Sequence, residues 1–365
     1  MRIAHYSSKT WPAIGGAERQ LQQLLPAQRE LGHETVLITS SPTARDAHVD
    51  YTISGQERKR FGLLIAAVRA FLVAVKLKSQ VDVLHVHGFG TTGAALSLAM
   101  RILGRPVILG LRSSGKNNDL QRMQTAHGRL AGAMLWRLQL ACTRIVCVKS
   151  IRMFEEVRQL GADESRLRIV PNGVDLSRLE RLSGPETAGR QVAYVGRMLI
   201  ETKGLDSLHD AWLKFKATAC GDEWRLLLVG VGPDEHTVAD WAAVEPSIVW
   251  CGSLQDVGSV LEQSRALVLP SRCEGFSNAL LEGLSAGRPI IATEVSGSED
   301  VVDNDVGWLL PVGDSEGLLS ALTELSGLDD DELKAMSERA KRRAAVYSIE
   351  AVAAKWLRVY ESAWQ

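Results

Sequence analysis

Cysteine is scarce in this chain and poorly placed for structural chemistry. The five, Cys142, Cys147, Cys220, Cys251 and Cys273, are odd in number and scattered. Cys142 and Cys147 lack CxxC spacing, so neither a disulfide framework nor a zinc site is indicated, and a reducing, cytoplasmic compartment fits. They read mainly as small core residues. Excess charge is missing too. The 42 Lys and Arg against 43 Asp and Glu leave a net charge of −1, which disfavours a nucleic-acid partner held by phosphate neutralisation. No apolar run reaches the ~18 residues of a bilayer span. The best, Gly62 to Val75, is interrupted by Arg69. The opening MRIAHYSSKTW has no apolar region of secretory type and reads as a short strand entering a loop. Internal repeats and low-complexity tracts are absent as well. What is present is globular: 45% apolar and 23% charged residues exclude wholesale disorder. The 365-residue length argues for two domains, or one large one.

Short Val- and Ile-rich runs alternate with segments of helical period. Expected strands are Arg2–Tyr6, Thr35–Thr39, Val81–His87, Pro106–Leu111, Arg144–Val148 and Arg168–Val170. A second set is Val192–Gly196, Arg225–Val229, Ile248–Cys251, Ala266–Leu269 and Pro289–Ala292. Runs apolar on both faces suit a parallel sheet covered by helices. Helix 16–31 keeps Leu21, Leu24 and Leu25 on one face and stops at Gly32. Strand–helix alternation over this length means doubly wound α/β. Residues 176–189, polar with Gly and Pro, read as a linker, and 171–190 brackets the boundary between two Rossmann-like domains. Residues 349–364 form an amphipathic helix through Val352, Trp356, Val359 and Tyr360.

Three motifs carry chemistry. Ile14-Gly15-Gly16-Ala17-Glu18 puts paired glycines before a helix start, where backbone can approach a ligand. An unliganded βα turn reads the same way, and the motif is not GxGxxG, so a dehydrogenase gains little support. Glu274-Gly275-Phe276-Ser277-Asn278-Ala279-Leu280-Leu281-Glu282 follows a strand. Ser277 suits an N-cap, which would leave the amides of Asn278, Ala279 and Leu280 for an anion, with a carboxylate on either side for sugar hydroxyls. Plain capping with a solvated Glu282 is the alternative. Gly196-Arg197 and Lys203-Gly204 place one cation at a strand end and another at a helix start. Together they can hold a diphosphate and stabilise a leaving phosphate, or can be two solvated surface charges.

Taken together with Pro171-Asn172-Gly173-Val174-Asp175, Val229-Gly230-Val231-Gly232-Pro233 and Gly287-Arg288-Pro289, these segments resemble the retaining glycosyltransferases of family 4. The likeness spans nearly the whole chain in the family's order, with the carboxy-terminal half the closer match. It implies the GT-B fold: two Rossmann-like doubly wound domains facing across a cleft. Residues 1–175 would be the acceptor side, 176–347 the nucleotide-sugar domain, and 348–365 a helix crossing back to the first domain. By motif position Arg197 and Lys203 would contact the donor diphosphate. Glu282 would accept from the ribose. Glu274 and the backbone of Gly275 and Phe276 would hold the hexose. The amides near Ser277, Asn278 and Ala279 would meet phosphate, and Gly16 would close on the donor. Catalysis would then rest on Arg197, Lys203 and Glu274.

The implied reaction moves a sugar from a nucleotide-sugar donor, UDP ahead of GDP, to a hydroxyl on a carbohydrate, lipid-linked or small-molecule acceptor. It would retain configuration and serve cell-surface polysaccharide or glycolipid synthesis. No cofactor or metal is implied, since no DxD pair lies by these motifs; Asp329–Asp331 enters a polar helix far from them. In one respect the chain departs from the pattern. Where many relatives have a histidine, it has Arg112, which stays charged and cannot act as a base; it can still hydrogen-bond donor or phosphate. His87, at a strand's carboxyl end, is an acceptor-side candidate or a structural histidine, and His85 reads as core. The basic, apolar segment 58–78 could rest on an anionic membrane surface at the inner face, or simply pack on the sheet. Two other readings stay open: an epimerase or phosphorylase on the same fold, and a non-catalytic subunit that binds nucleotide sugar.

Overall fold

The computed structural model describes all residues except 11–14, 41–48, 54–61 and 116–117. Ile14 of the first motif, the basic run Arg58-Lys59-Arg60 and Lys116 therefore lie outside the described residues. The chain divides into two compact units, Met1–Gly173 with Ile349–Gln365, and Val174–Ser348.

The first unit is built on β1 (Arg2–Ser7), β2 (Glu34–Thr39), β3 (Tyr51–Thr52), β4 (Val83–His87), β5 (Val107–Gly110), β6 (Ile145–Val148) and β7 (Leu167–Ile169). They form a parallel sheet in the order β3-β2-β1-β4-β5-β6-β7. Period-two alternation divides its apolar residues between two faces. Ala4, Val36, Leu84, Val107 and Val146 fill one core. Ile3, Val83, Ile108, Ile145 and Cys147 fill the other, covered by Leu24 and Ala27 and by Ile349, Val352, Trp356 and Tyr360 of the last helix, Ile349–Trp364. That helix thus supplies a wall of the first unit's core, although the chain reaches it only after completing the second unit.

The second unit contains β8 (Gln191–Val195), β9 (Arg225–Val229), β10 (Ile248–Gly252), β11 (Ala266–Leu269), β12 (Ile290–Thr293) and β13 (Gly307–Leu310). Its sheet is parallel, in the order β10-β9-β8-β11-β12-β13, around a single core. Both sheets reverse their strand order beside the first strand of the unit. In open α/β sheets, ligands lodge beyond the carboxyl ends of the strands at such a switch point. The relevant ends are those of β1 and β4 in one unit and β8 and β11 in the other.

Residues 176–189 do not form a free linker. They make a short helix, Leu176–Leu179, and a turn, Pro185–Thr187, within the second unit. Leu179 and Pro185 are buried, and the Ser183 carbonyl accepts from the fully buried Arg288 guanidinium. Arg288 also donates to the Ser264 carbonyl at 3.0 Å, so the segment is an anchored part of the unit. Nor are the cysteines mainly core: Cys142 and Cys147 are buried, Cys251 and Cys273 partly so, and Cys220 is exposed.

Candidate functional site

Beyond β8 the chain runs through Gly196 and Arg197 into the short helix Ile200–Lys203. Backbone contacts with the loop after β9 fix this turn. Gly196 N–H donates to the Val229 carbonyl at 3.0 Å, and Met198 N–H to that of Val231 at 3.2 Å. A Cβ on Gly230 would lie 1.8 Å from the Gly196 carbonyl oxygen, and one on Gly232 2.3 Å from that of Met198. The glycines of Val229–Pro233 therefore allow one loop to support another. Asp234 accepts from Ile200 N–H at 2.7 Å. Arg197 is exposed, and among the described residues its guanidinium has no ion pair or hydrogen bond.

Lys203 ends the short helix and Gly204 turns the chain at φ 63° into Leu205–Lys216. A Cβ at Gly204 would strike the Pro270 carbonyl at 2.0 Å, so glycine there permits the turn to dock on the loop after β11. The result is an ion pair between Lys203 Nζ and Glu274 Oε1, both side chains largely buried. Glu274 also accepts from Ser271 Oγ at 3.1 Å. The field of Glu274 and, above all, burial raise the Tyr194 phenol well above its ordinary pKa. Its hydroxyl donates to the Arg197 carbonyl at 3.0 Å.

Arg272, which the sequence reading passed over, holds these parts together. Its N–H donates to the Thr202 carbonyl at 2.9 Å. Its guanidinium reaches the Glu201 carbonyl at 3.0 Å, Asp206 bidentately at 2.7 and 2.9 Å, and Ser207 Oγ at 2.8 Å. This planar fork ties the Lys203 turn to the Glu274 loop.

Ser277 caps the helix Asn278–Ser285 as expected, its Oγ accepting from Leu280 N–H at 3.3 Å. Leu280 thus cannot offer its amide to an anion, contrary to the expectation; those of Asn278 and Ala279 precede it in the same first turn. The Gly275 carbonyl accepts from Ser296 Oγ at 2.8 Å. The Phe276 ring is buried against Gly297 and Tyr347, so its side chain serves the core. Glu282 sits one turn into the helix, half-buried. Arg197, Lys203, Glu274–Ala279 and Glu282 thus share the second unit's switch-point end.

The first unit gathers Gly16, His87 and Arg112 at its own strand ends. Gly16 opens the helix Gly16–Glu30 and is exposed. A Cβ on Gly15 would meet the Glu18 carboxylate at 2.2 Å, so that glycine accommodates Glu18. Gln20 of this helix brackets Gly173, donating to its carbonyl at 2.5 Å and accepting from its N–H at 2.8 Å. The register sets His5 beside His85 and Ser7 beside His87. His5 Nδ1 and His87 Nε2 lie 2.9 Å apart, and His85 Nδ1 is 2.8 Å from the Tyr360 hydroxyl. Burial lowers the pKa of His5 to about 3, and those of His85 and His87 well below the ordinary value. The three can bring nitrogen atoms within 4.8 Å of one another. Hydrogen bonds occupy His5 Nδ1, His87 Nε2 and His85 Nδ1 and leave His5 Nε2 and His85 Nε2 without one, while the cations Lys149 and Arg112 oppose a dication. Arg112 is half-buried and donates to Ser7 Oγ at 2.9 Å.

Residues 14–178 match the family model described as Glycosyltransferase Family 4, and residues 189–327 match Glycosyl transferases group 1. With the two-sheet fold, these matches support a GT-B glycosyltransferase of the family 4 and group 1 type. Among curated relatives, a phosphatidyl-myo-inositol mannosyltransferase of Mycolicibacterium smegmatis is 28% identical, covering 99% of this chain and 94% of its own. An N-acetyl-alpha-D-glucosaminyl L-malate synthase of Bacillus anthracis is 24% identical, covering 92% of this chain and 90% of its own. Among solved structures, Anabaena HepE in complex with UDP matches with TM-score 0.79 at 17% identity, covering 99% of this chain and 100% of its own.

Proposed function

We propose that the protein is a retaining glycosyltransferase that moves a sugar from a UDP-sugar to a hydroxyl acceptor in glycolipid or cell-surface polysaccharide synthesis. The observation that carries the reading is the Lys203–Glu274 pair at the second unit's switch point, with Arg197 exposed on the preceding turn. In this reading the donor diphosphate takes the two cations and the first-turn amides of Asn278 and Ala279, at the positive end of the helix. Glu274 then turns to the hexose hydroxyls and Glu282 accepts from the ribose. Arg197 and Lys203 stabilise the charge that grows on the departing phosphate. Arg112 cannot take a proton, so the leaving phosphate accepts the acceptor's proton during same-face attack. His87 and Arg112 belong to the acceptor side, whereas Gly16 is assigned to donor binding. The reaction needs no metal.

A membrane-surface role fits the helix Gly62–Leu77. Val68, Phe71 and Leu72 are exposed on it, and Lys76 lies in its last turn. No helix among the described residues is long and apolar enough to cross a bilayer, so contact would be peripheral, through buried apolar area and attraction to anionic lipid. Replacing Phe71 and Leu72 by Glu should abolish sedimentation with anionic vesicles and leave the fold intact.

The central test is NMR on incubated UDP-sugars with an acceptor panel, preceded by a thermal-shift screen, because a ligand of the native state raises stability by mass action. UDP release with an α-linked product supports the proposal. Ring epimerisation without UDP release would point to an epimerase, and donor binding without turnover to a sensor subunit.

A further inference from the structure

The carboxyl ends of β5 and β6 carry two cations whose environment the reaction above does not explain. Gly110 of β5 pairs with Cys147 of β6. Arg112 and Lys149 each follow two residues later, at neighbouring strand ends, and extended backbone points residues two apart to the same side. The Lys149 ammonium stands 5.3 Å from the centre of the Trp356 ring. Among the described residues it has no hydrogen bond and no carboxylate partner. Burial lowers its pKa to about 8, with Arg112 adding to the effect. Arg112 lies across Gly88, whose φ of +83° and missing Cβ leave room: a Cβ there would be 3.1 Å from Arg112 Cδ. Among the described residues, the acids near Arg112 do not pair with its guanidinium. Asp119 is occupied by the N–H groups of Arg112 and Ser113, at 2.9 and 3.3 Å, and Glu18 is folded over Gly15. The histidines beside the pair are neutral, as their lowered pKa values require.

Two half-buried cations on adjoining strand ends, without a salt bridge among the described residues, are costly to fold unless an anion completes them. We propose that Arg112 and Lys149 form an anion subsite of the first unit, which seats a phosphate or carboxylate group carried by the hydroxyl acceptor. The acceptor class is then an anionic hydroxyl compound rather than a neutral sugar. This rests on reading the first unit as the acceptor side. The arginine that replaces the expected histidine gains a function from it: it orients the acceptor through a charge-assisted bond.

The test is a ligand-observed NMR titration of the full-length protein with glycerol 3-phosphate and L-malate, with glycerol as the neutral control. UDP is titrated separately. We expect either anion to bind and glycerol not to. Lys149→Gln and Arg112→Gln should each raise the anion's Kd by about tenfold, the loss of one charge-assisted contact. Lys149→Arg, which keeps the charge, should restore binding and shows that the Gln variant has not merely lost its packing. Arg197→Ala should leave anion binding unchanged. A parallel arm uses vesicles of phosphatidylcholine with and without phosphatidylglycerol. Lys149-dependent sedimentation would make a lipid headgroup the source, and a response of the soluble anions alone would make it a free small molecule. Anion affinity indifferent to Lys149 and Arg112, or lost only in Arg197→Ala, overturns the inference, as does binding in neither arm. If UDP fails to bind but the anion still answers to Lys149, the donor reading falls and this one stands.

Discussion

Lys203 and Glu274 lie 71 positions apart in sequence and in contact in the fold. Their pairing shows how single residues share the work: each neutralises the other, and in the proposed reaction a diphosphate would compete for the same cation. Lys203→Ala or Arg197→Ala should lower turnover by ~10²-fold or more, as for other donors aimed at transition-state charge. Thermal unfolding should barely move; steady-state kinetics beside a melting curve would check both halves. The histidine cluster makes a different prediction. His5 stays neutral in the folded protein down to about pH 3, whereas its ordinary value is 6.5. The unfolded chain therefore binds more protons between those values, and stability must fall as pH drops below about 6.5. Urea unfolding at a series of pH values should show that fall, and His5→Gln should lessen it, leaving the part due to His85 and His87. At this scale much was legible. Ser277 has the chemistry of a cap and caps its helix, and Lys203 and Glu274, both singled out by their motifs, lie together. Arg272 was not legible, because its partner Asp206 is 66 residues away and an isolated arginine looks like any surface charge.

Among the elements, the short helix Ile200–Lys203 is the one most dependent on others. A single turn cannot hold its own shape in water. It is held by Asp234 at its start, by Gly204 at its end and by Arg272 alongside. Arg272→Ala should therefore raise the donor KM and lower kcat, together by on the order of 10–100-fold, the cost of misplacing a catalytic group. Lys should not rescue it, since an ammonium lacks the planar fork. A double-mutant cycle with Asp206→Asn should show strong coupling, which a purely local loss of packing would not give. Most strands were readable from their apolar runs, with ends displaced by a residue or two. Two were missed. β3 is only Tyr51–Thr52, too short for any period, and β13, Gly307–Leu310, is only partly buried. The stretch 176–189 was misread because its polar composition hides what it does: its carbonyl at Ser183 satisfies a buried arginine.

Over the whole molecule, the last helix returns to the first unit, where Trp356 and Tyr360 close the core over the histidines. Trp356→Ala should destabilise that unit by about 3–5 kcal/mol, the usual cost of emptying a buried aromatic site. Ending the chain after Ser348 should cost more, and limited proteolysis should then cut the first unit before the second. The fold class follows from local patterning alone, because strand and helix periods are local and their alternation permits few topologies. Sequence also sets the types of groups offered to a ligand. Which of them meet depends on long-range packing. Parallel strands bring residues of distant turns to one edge, so the register of β1 on β4 assembled the histidines, and that of β5 on β6 set Arg112 beside Lys149. Contacts across such separations depend on backbone geometry and close approach at glycine, which no stretch of sequence carries alone.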